Sequence, residues 1–316
     1  MVLWVSAALA AIGFSLATTV RGEAERTGTA VDSLRSYYLA IGGVQRAMVE
    51  LLWSAEYPGE RRIPKGATVV NYTFPSGLVR VEIIPEAGRL DVNHISVLEL
   101  FRLLLALGEP QDRAREISAA IDDWRRPTEA GSMFDSFYLS QTPSFRSPHA
   151  SFQEIEELLL VKGVTPDLFY GSYVPAEGLS GPDASGPRLV ARGGLIDCLS
   201  VYGSVDRIDA NTAAPAALSA VGLSPFAINA LLERRARAPL TDKELPEFMA
   251  GLGAPSDRLR LEGFSIVTMR ATAQLRLQNG QISDLKRTVG AQVKYLQPNA
   301  NTSYNVLRWY DTAWSN

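Results

Sequence analysis

Residues 2–20 read VLWVSAALAAIGFSLATTV, a run without a single charge. As a helix rising about 1.5 Å per residue it would reach about 30 Å, the thickness of a bilayer core. Ser6, Ala7, Ala8, Ala10, Ala11, Gly13 and Ser15 punctuate it. Small residues of this kind let helices approach closely in lipid. A cleaved signal peptide would want a positive stretch ahead of the apolar run, and none is seen here. A buried core helix is the other alternative, and the length without charge favours a membrane helix over it.

The pattern then changes without breaking. After Arg21 the chain becomes amphipathic, with Val31, Leu34, Tyr38, Ile41, Gln45, Met48 and Leu52 three or four residues apart. That is the spacing of one helical face. No proline occurs before Pro58. Gly22, Gly28, Gly42 and Gly43 each weaken a helix by about 1 kcal/mol relative to alanine, so a kink near Gly28 is expected. A membrane or fibre-core segment (1–22) thus runs into an amphipathic stem (23–58).

Beyond the stem, strand signals stand at both ends of the remaining chain. Residues 67–74 and 78–84 are β-rich and flank the turn Pro75-Ser76-Gly77, which reads as a hairpin. Near the C-terminus, residues 264–277 alternate and end at Asn279-Gly280, a strong hairpin turn. A strand over 289–296, a turn over 299–303 and a last strand over 304–310 follow. Together these predict one antiparallel sheet, from 59–87 and 262–316, packed on the stem.

The chain between them reads as an inserted all-helical domain, 88–261. Helices are expected over 97–107, capped by Ser96 and ended by Gly108, and over 112–124. Residues 125–151 are loop-like, with Pro127, Pro143 and Pro148. A helix over 152–160 comes next, then one starting at Pro166 with Thr165 as its cap. Residues 175–194, rich in Gly, Pro and Ser, read as a long linker. Three more helices are expected over 210–221, 224–237 and 241–249.

Composition narrows function. The 316 residues are 46% hydrophobic and 21% charged, with a formal net charge of -3. A broad basic face for nucleic acid does not fit that balance. Cys198 is the one cysteine, and His94 and His149 are the two histidines, so neither a disulfide nor the usual zinc site is expected. No phosphate loop, nucleophile elbow or paired-histidine motif is present. Nothing in the sequence supports catalysis.

Four segments, in order, carry a resemblance: GRLDVN from Gly88, AIDDW from Ala120, SFQEIEELLLVKGVTP from Ser151 and DANTAAPAAL from Asp209. With the apolar N-terminal helix, they resemble the K-type minor pseudopilins of bacterial type II secretion systems. The resemblance covers about half the chain, roughly 88–253. It implies an α+β fold: a pilin-like long N-terminal helix packed on an antiparallel sheet, with a large inserted all-α domain. Family precursors carry a short basic leader cut by a prepilin peptidase; this sequence starts inside the apolar run, and the glutamate usual near the mature N-terminus of pseudopilins, which K-type subunits lack, is not seen.

By the same resemblance the chain would be a structural subunit capping the tip of the pseudopilus. It would be anchored once in the inner membrane, with its bulk in the periplasm. Its partners would be minor pseudopilins of the I, J and H types, with secreted cargo as a further contact. Trp4, Leu9, Ile12, Phe14 and Leu16 would make the membrane and fibre-core contacts. Val31, Leu34 and Tyr38 would meet either partners or the chain's own sheet. K-type subunits bind calcium in the loop after the Asp-Trp helix, and Asp122, Asp123, Glu129 and Asp135 are the candidate ligands here. The alternative for the acidic cluster is a helix end neutralised by Arg125 and Arg126.

One unit has a second resemblance. Residues 209–253 are similar to helix-hairpin-helix modules, whose hairpin N–H groups meet phosphate. The hairpin reads Gly222-Leu223-Ser224, with Arg234, Arg235 and Arg237 on the following helix. Packing on a reused scaffold is favoured by the acidic chain. A membrane-tethered DNA-uptake receptor is the alternative.

Overall fold

A computed structural model describes residues 2–60, 62–64, 67–128, 131–175, 189–261, 265–296 and 303–312. Glu129, the middle of the expected 175–194 linker, Phe264 and most of the expected 299–303 turn lie outside these residues. The chain divides into two compact units, residues 1–83 with 267–316, and residues 84–266.

The first unit begins with helix α1, Val2–Glu56, 55 residues long. It runs as one uninterrupted helix through Gly28. Strands β1 (Val69–Phe74) and β2 (Gly77–Pro85) follow as an antiparallel hairpin, with Val70 opposite Val81 and Tyr72 opposite Val79.

The face that α1 buries differs from the expected one. Ser36, Leu39, Ala40, Val44, Ala47, Met48, Leu51 and Ser54 are buried. Val31, Leu34 and Tyr38 are exposed. The buried stripe mixes small residues with Leu39, Val44, Met48 and Leu51, and it shares only Met48 with the expected set. Its small residues let the helix lie close to the sheet. A Cβ added at Gly43 would run into the Val79 side chain, whereas one at Gly42 meets nothing within 4 Å. Beside this seam Glu50 accepts hydrogen bonds from Arg46 (3.0 Å) and the Tyr72 hydroxyl (2.8 Å). Burial, and then the bond to Glu50, push the Tyr72 phenol well above its ordinary range.

After β2 the chain builds the second unit, and this unit is made of two halves on one plan. In the first half, strand β3 (Leu90–Asp91) leads to helices α2 (Val97–Ala106), α3 (Gln111–Arg125), α4 (Asp135–Leu139) and α5 (Pro166–Tyr170). The stretch expected as a helix over 152–160 is a 3-10 turn, Ile155–Leu160. A hairpin of β4 (Ser172–Pro175) and β5 (Leu189–Arg192) and the short α6 (Leu195–Cys198) follow. Strand β6 (Leu199–Ser200) then pairs in parallel with β3. In the second half, β7 (Ile208–Asp209) leads to α7 (Pro215–Ala220), α8 (Pro225–Arg237) and α9 (Glu244–Gly251). Strand β8 (Leu259–Arg260) closes it by pairing in parallel with β7.

The same polar clasp holds each half. Asp91 accepts the Asn93 N–H (2.7 Å), and Asp209 accepts the Asn211 N–H (3.0 Å). The Asn93 amide then grips both backbone groups of Phe152, donating to its carbonyl (3.0 Å) and accepting its N–H (2.7 Å). Asn211 grips Leu240 in the same way, at 3.1 and 2.9 Å. Finally, an arginine near the end of the second long helix donates to two carbonyls of the turn. Arg125 meets Val92 and Ile95, both at 2.6 Å, and Arg235 meets Ala210 (3.0 Å) and Ala213 (2.8 Å). This explains why the helix expected from Ala210 starts only at Pro215: the residues before it are spent on the clasp. Trp124, Tyr138 and Phe152 pack as an aromatic cluster in the first half.

The chain then returns to the first unit. Strand β9 (Ile266–Arg276) lies next to β2, and the sheet runs β1-β2-β9-β10-β11, with β10 at Ile282–Tyr295 and β11 at Tyr304–Tyr310. The turn between β9 and β10 is the expected Asn-Gly one, with Gly280 at φ 82°. Val79, Val81, Met269, Ala271, Val289 and Ala291 are among the residues the sheet buries.

Two stability experiments follow. Gly43→Ala should lower stability by about 1–3 kcal/mol through overpacking on Val79. Gly42→Ala, one residue away, should raise it by up to about 1 kcal/mol. Urea unfolding of both variants checks the pair. Asn93→Ala and Asn211→Ala should each cost about 1–3 kcal/mol, because each strips a buried N–H and carbonyl of their partner. Equal stability of either variant with the parent would refute the clasp.

Candidate partner-docking surface and the loop after Trp124

Helix α1 presents an apolar face that this chain does not cover. A window of 18 residues near its start has mean hydropathy 1.8 and is not buried at all. It is long and apolar enough to cross a membrane. Trp4, Leu9, Ile12, Phe14 and Leu16 are all exposed there. Exposed apolar surface this extensive marks contact with lipid or protein.

The exposure continues along the stem. Val31, Leu34 and Tyr38 are 44%, 56% and 62% exposed. They line a groove of about 1160 Å³ whose other wall includes Phe74, Leu275 and Leu277. Of the two alternatives left open above, contact with the chain's own sheet accounts for the floor of this groove, through the buried Leu39. It does not cover the three residues themselves. Further along, Val49 and Trp53 are exposed too. The missed signal is steric: the small residues at 40, 43 and 47 mark the packed side.

Asp122, Asp123 and Asp135, the three candidate calcium ligands among the described residues, do not form a metal-holding group. Glu129 lies outside the described residues. Both oxygens of Asp122 face arginines, Oδ1 toward Arg125 (2.9 Å) and Oδ2 toward Arg126 (2.6 Å). Asp123 and Asp135 converge instead on His149, which the sequence reading had passed over. His149 Nδ1 lies 3.2 Å from the Asp123 carbonyl, and Nε2 lies 3.0 Å from Asp135 Oδ1. Asp135 Oδ2 accepts the Ser132 N–H (2.8 Å). That N–H, and next His149, hold the Asp135 carboxyl below its ordinary range. Burial works against charge on His149, but the bonds to Asp135 and to the Asp123 carbonyl outweigh it, and its pKa is raised.

Calcium takes six to eight oxygen ligands. Among the described residues no three His, Cys, Asp or Glu side chains are placed to hold a metal. The buried Asp123 Oδ2 has no hydrogen-bond partner, yet it sits 4.0 Å from the His149 ring rather than beside further oxygens. The arrangement present does not fit the ion.

Two of the three arginines of the helix-hairpin-helix-like half are likewise committed. Arg235 is taken up by the clasp, and burial lowers its pKa. Arg234 donates to the Ala238 carbonyl (2.7 Å) and pairs with Glu244 (3.1 Å). Arg237 is exposed. The Gly222 and Leu223 N–H groups are bonded to Ser219 and Leu218 carbonyls. Most of the donors a phosphate would need are therefore spent within the fold.

Comparison with known proteins agrees with this architecture. Residues 83–171 match the family described as type II secretion system (T2SS), protein K, first domain. Over 76 residues the chain is 38% identical to the type II secretion system protein K of Pectobacterium carotovorum subsp. carotovorum. That alignment takes in 22% of this chain and 23% of the relative, so it spans about a quarter of the relative's length. In fold, the chain is similar to one in the crystal structure of the GspK-GspI-GspJ complex from the enterotoxigenic Escherichia coli Type 2 Secretion System. The TM-score is 0.55 at 15% identity, over 90% of this chain and 99% of the other. Residues 83–171 are thus similar to the protein K family of the type II secretion system, and the fold over nearly the whole chain is similar to that of a chain in the GspK-GspI-GspJ complex.

Proposed function

We propose that this chain is a structural minor pseudopilin that caps the tip of a type II secretion pseudopilus, initiates its assembly and aids export of folded proteins across the outer membrane. One observation carries the reading: α1 leaves apolar side chains uncovered in two stretches, from Val2 to Val20 and again at the groove lined by Val31, Leu34 and Tyr38. A helix of this kind is stable in water only with lipid or another helix against it. The N-terminal part would span the inner membrane before assembly and lie in the fibre core afterwards. The bulk of the chain would stand in the periplasm.

The partners would be minor pseudopilins resembling the I, J and H types. The fold shared with a chain of the GspK-GspI-GspJ complex supports that choice. The inserted unit is more than half of the chain. By the family resemblance, that bulk suits a terminal position. The role is mechanical rather than catalytic, and secreted cargo would meet the tip as a load.

Co-expression of the full chain in detergent with I- and J-type subunits of the same genome tests the proposal. A stable heterotrimer by light scattering is the expected result. Leu34→Glu with Tyr38→Glu should weaken assembly at least tenfold, about 1.4 kcal/mol or more. Because both side chains are exposed, the melting temperature of the free chain should hold. A parent chain that stays monomeric beside folded partners would overturn the assignment.

A further inference from the structure

We infer that the loop after Trp124 is closed by protein groups, with His149 as the clasp that ties it down at the place where the sequence resemblance implies calcium. This goes beyond the proposed function and does not depend on it.

The loop leaves α3 at Arg125 and returns at Ser151 onto the aromatic cluster of Trp124, Tyr138, Phe145 and Phe152. Something must hold α4 against the end of α3. His149 does so from both sides of one ring. Nδ1 reaches the Asp123 carbonyl on α3, and Nε2 reaches the Asp135 carboxylate at the start of α4. The next residue adds a backbone tie, Ala150 N–H to the Trp124 carbonyl at 3.0 Å.

The backbone shows that this placement is enforced. His149 adopts φ 44°, in the left-handed region. A residue with a side chain persists there only where its surroundings over-determine it. The two ring contacts supply that determination, and the ring is 14% exposed.

The charges around the site favour the same conclusion. Asp122 cannot turn an oxygen to an ion without abandoning Arg125 and Arg126. Two guanidinium groups close by would repel a dication. Asp135 has one oxygen on His149 and the other on the Ser132 N–H. Asp123 Oδ2 is buried without a hydrogen-bond partner, 4.0 Å from the His149 ring. Among the described residues a hard dication that wants six or more oxygens finds too few, and imidazole nitrogen is a poor substitute.

The test is thermal unfolding of the full chain in detergent, at one fixed pH, with millimolar calcium or with EDTA. Terbium luminescence reports ion binding independently. The parent should melt at the same temperature in both buffers and give no saturable terbium signal. His149→Ala should melt about 3 °C lower or more in both. Should H149A fail to fold, H149Q, which keeps one end of the bridge, should fold and show a smaller drop. A calcium-dependent rise in the parent's melting temperature, with a terbium signal lost in Asp135→Asn, would overturn the inference. So would a histidine variant that melts like the parent.

Discussion

Close contact between α1 and its sheet is the constraint on which the first unit depends. Ala40, Gly43 and Ala47 leave room for Val79 and Val81 to come up against the helix backbone. Larger residues at those three positions would hold the sheet away and break the packing that makes interiors dense. Leu39, Val44, Met48 and Leu51 fill the inside beside the small residues, and the apolar residues at 31, 34, 38, 49 and 53 are left outside. The apolar outer face thus follows from how the inner one packs. The same geometry that folds the stem leaves a surface free for assembly.

The second unit solves a different problem. Its helices are short, and its strands outside the β4–β5 hairpin are only two residues each. Regular hydrogen bonding alone cannot hold such a structure together. Each half therefore uses a side-chain clasp of Asp, Asn and Arg to satisfy the turn's backbone groups, as buried polar groups require. Helices α2 and α7, one from each half, pack together, joining the halves around a single apolar core. Since β2 and β9 are neighbours in the sheet, the whole unit can be inserted between them without opening the first unit's core.

These commitments bear on chemistry as well. Arg235 looks in sequence like a phosphate contact, and the structure spends it on two carbonyls. Asp122 looks like a metal ligand, and two neighbouring arginines neutralise it. In both cases a polar residue read as a site belongs to the internal accounting of hydrogen bonds. What remains available to other molecules is apolar surface on a long helix, which fits a protein that assembles.

Much of this was legible in residue order. A charge-free run of nineteen residues can only be a helix with apolar surroundings, because its length and composition act locally. Strand alternation, the Asn279-Gly280 turn and the caps at Ser96 and Thr165 are local too, and the turn and both caps stand where they were expected. Even the repeated clasp left a trace, LDVN from Leu90 and IDAN from Ile208, though its meaning lies in partners 59 and 29 residues away. Which face of the stem is inside was settled by the tertiary structure alone. So was which oxygens His149 meets, and which arginine is buried. Each depends on what residues distant in the chain bring within a few ångströms. Periodicity along one helix carries no record of the shape that will be pressed against it.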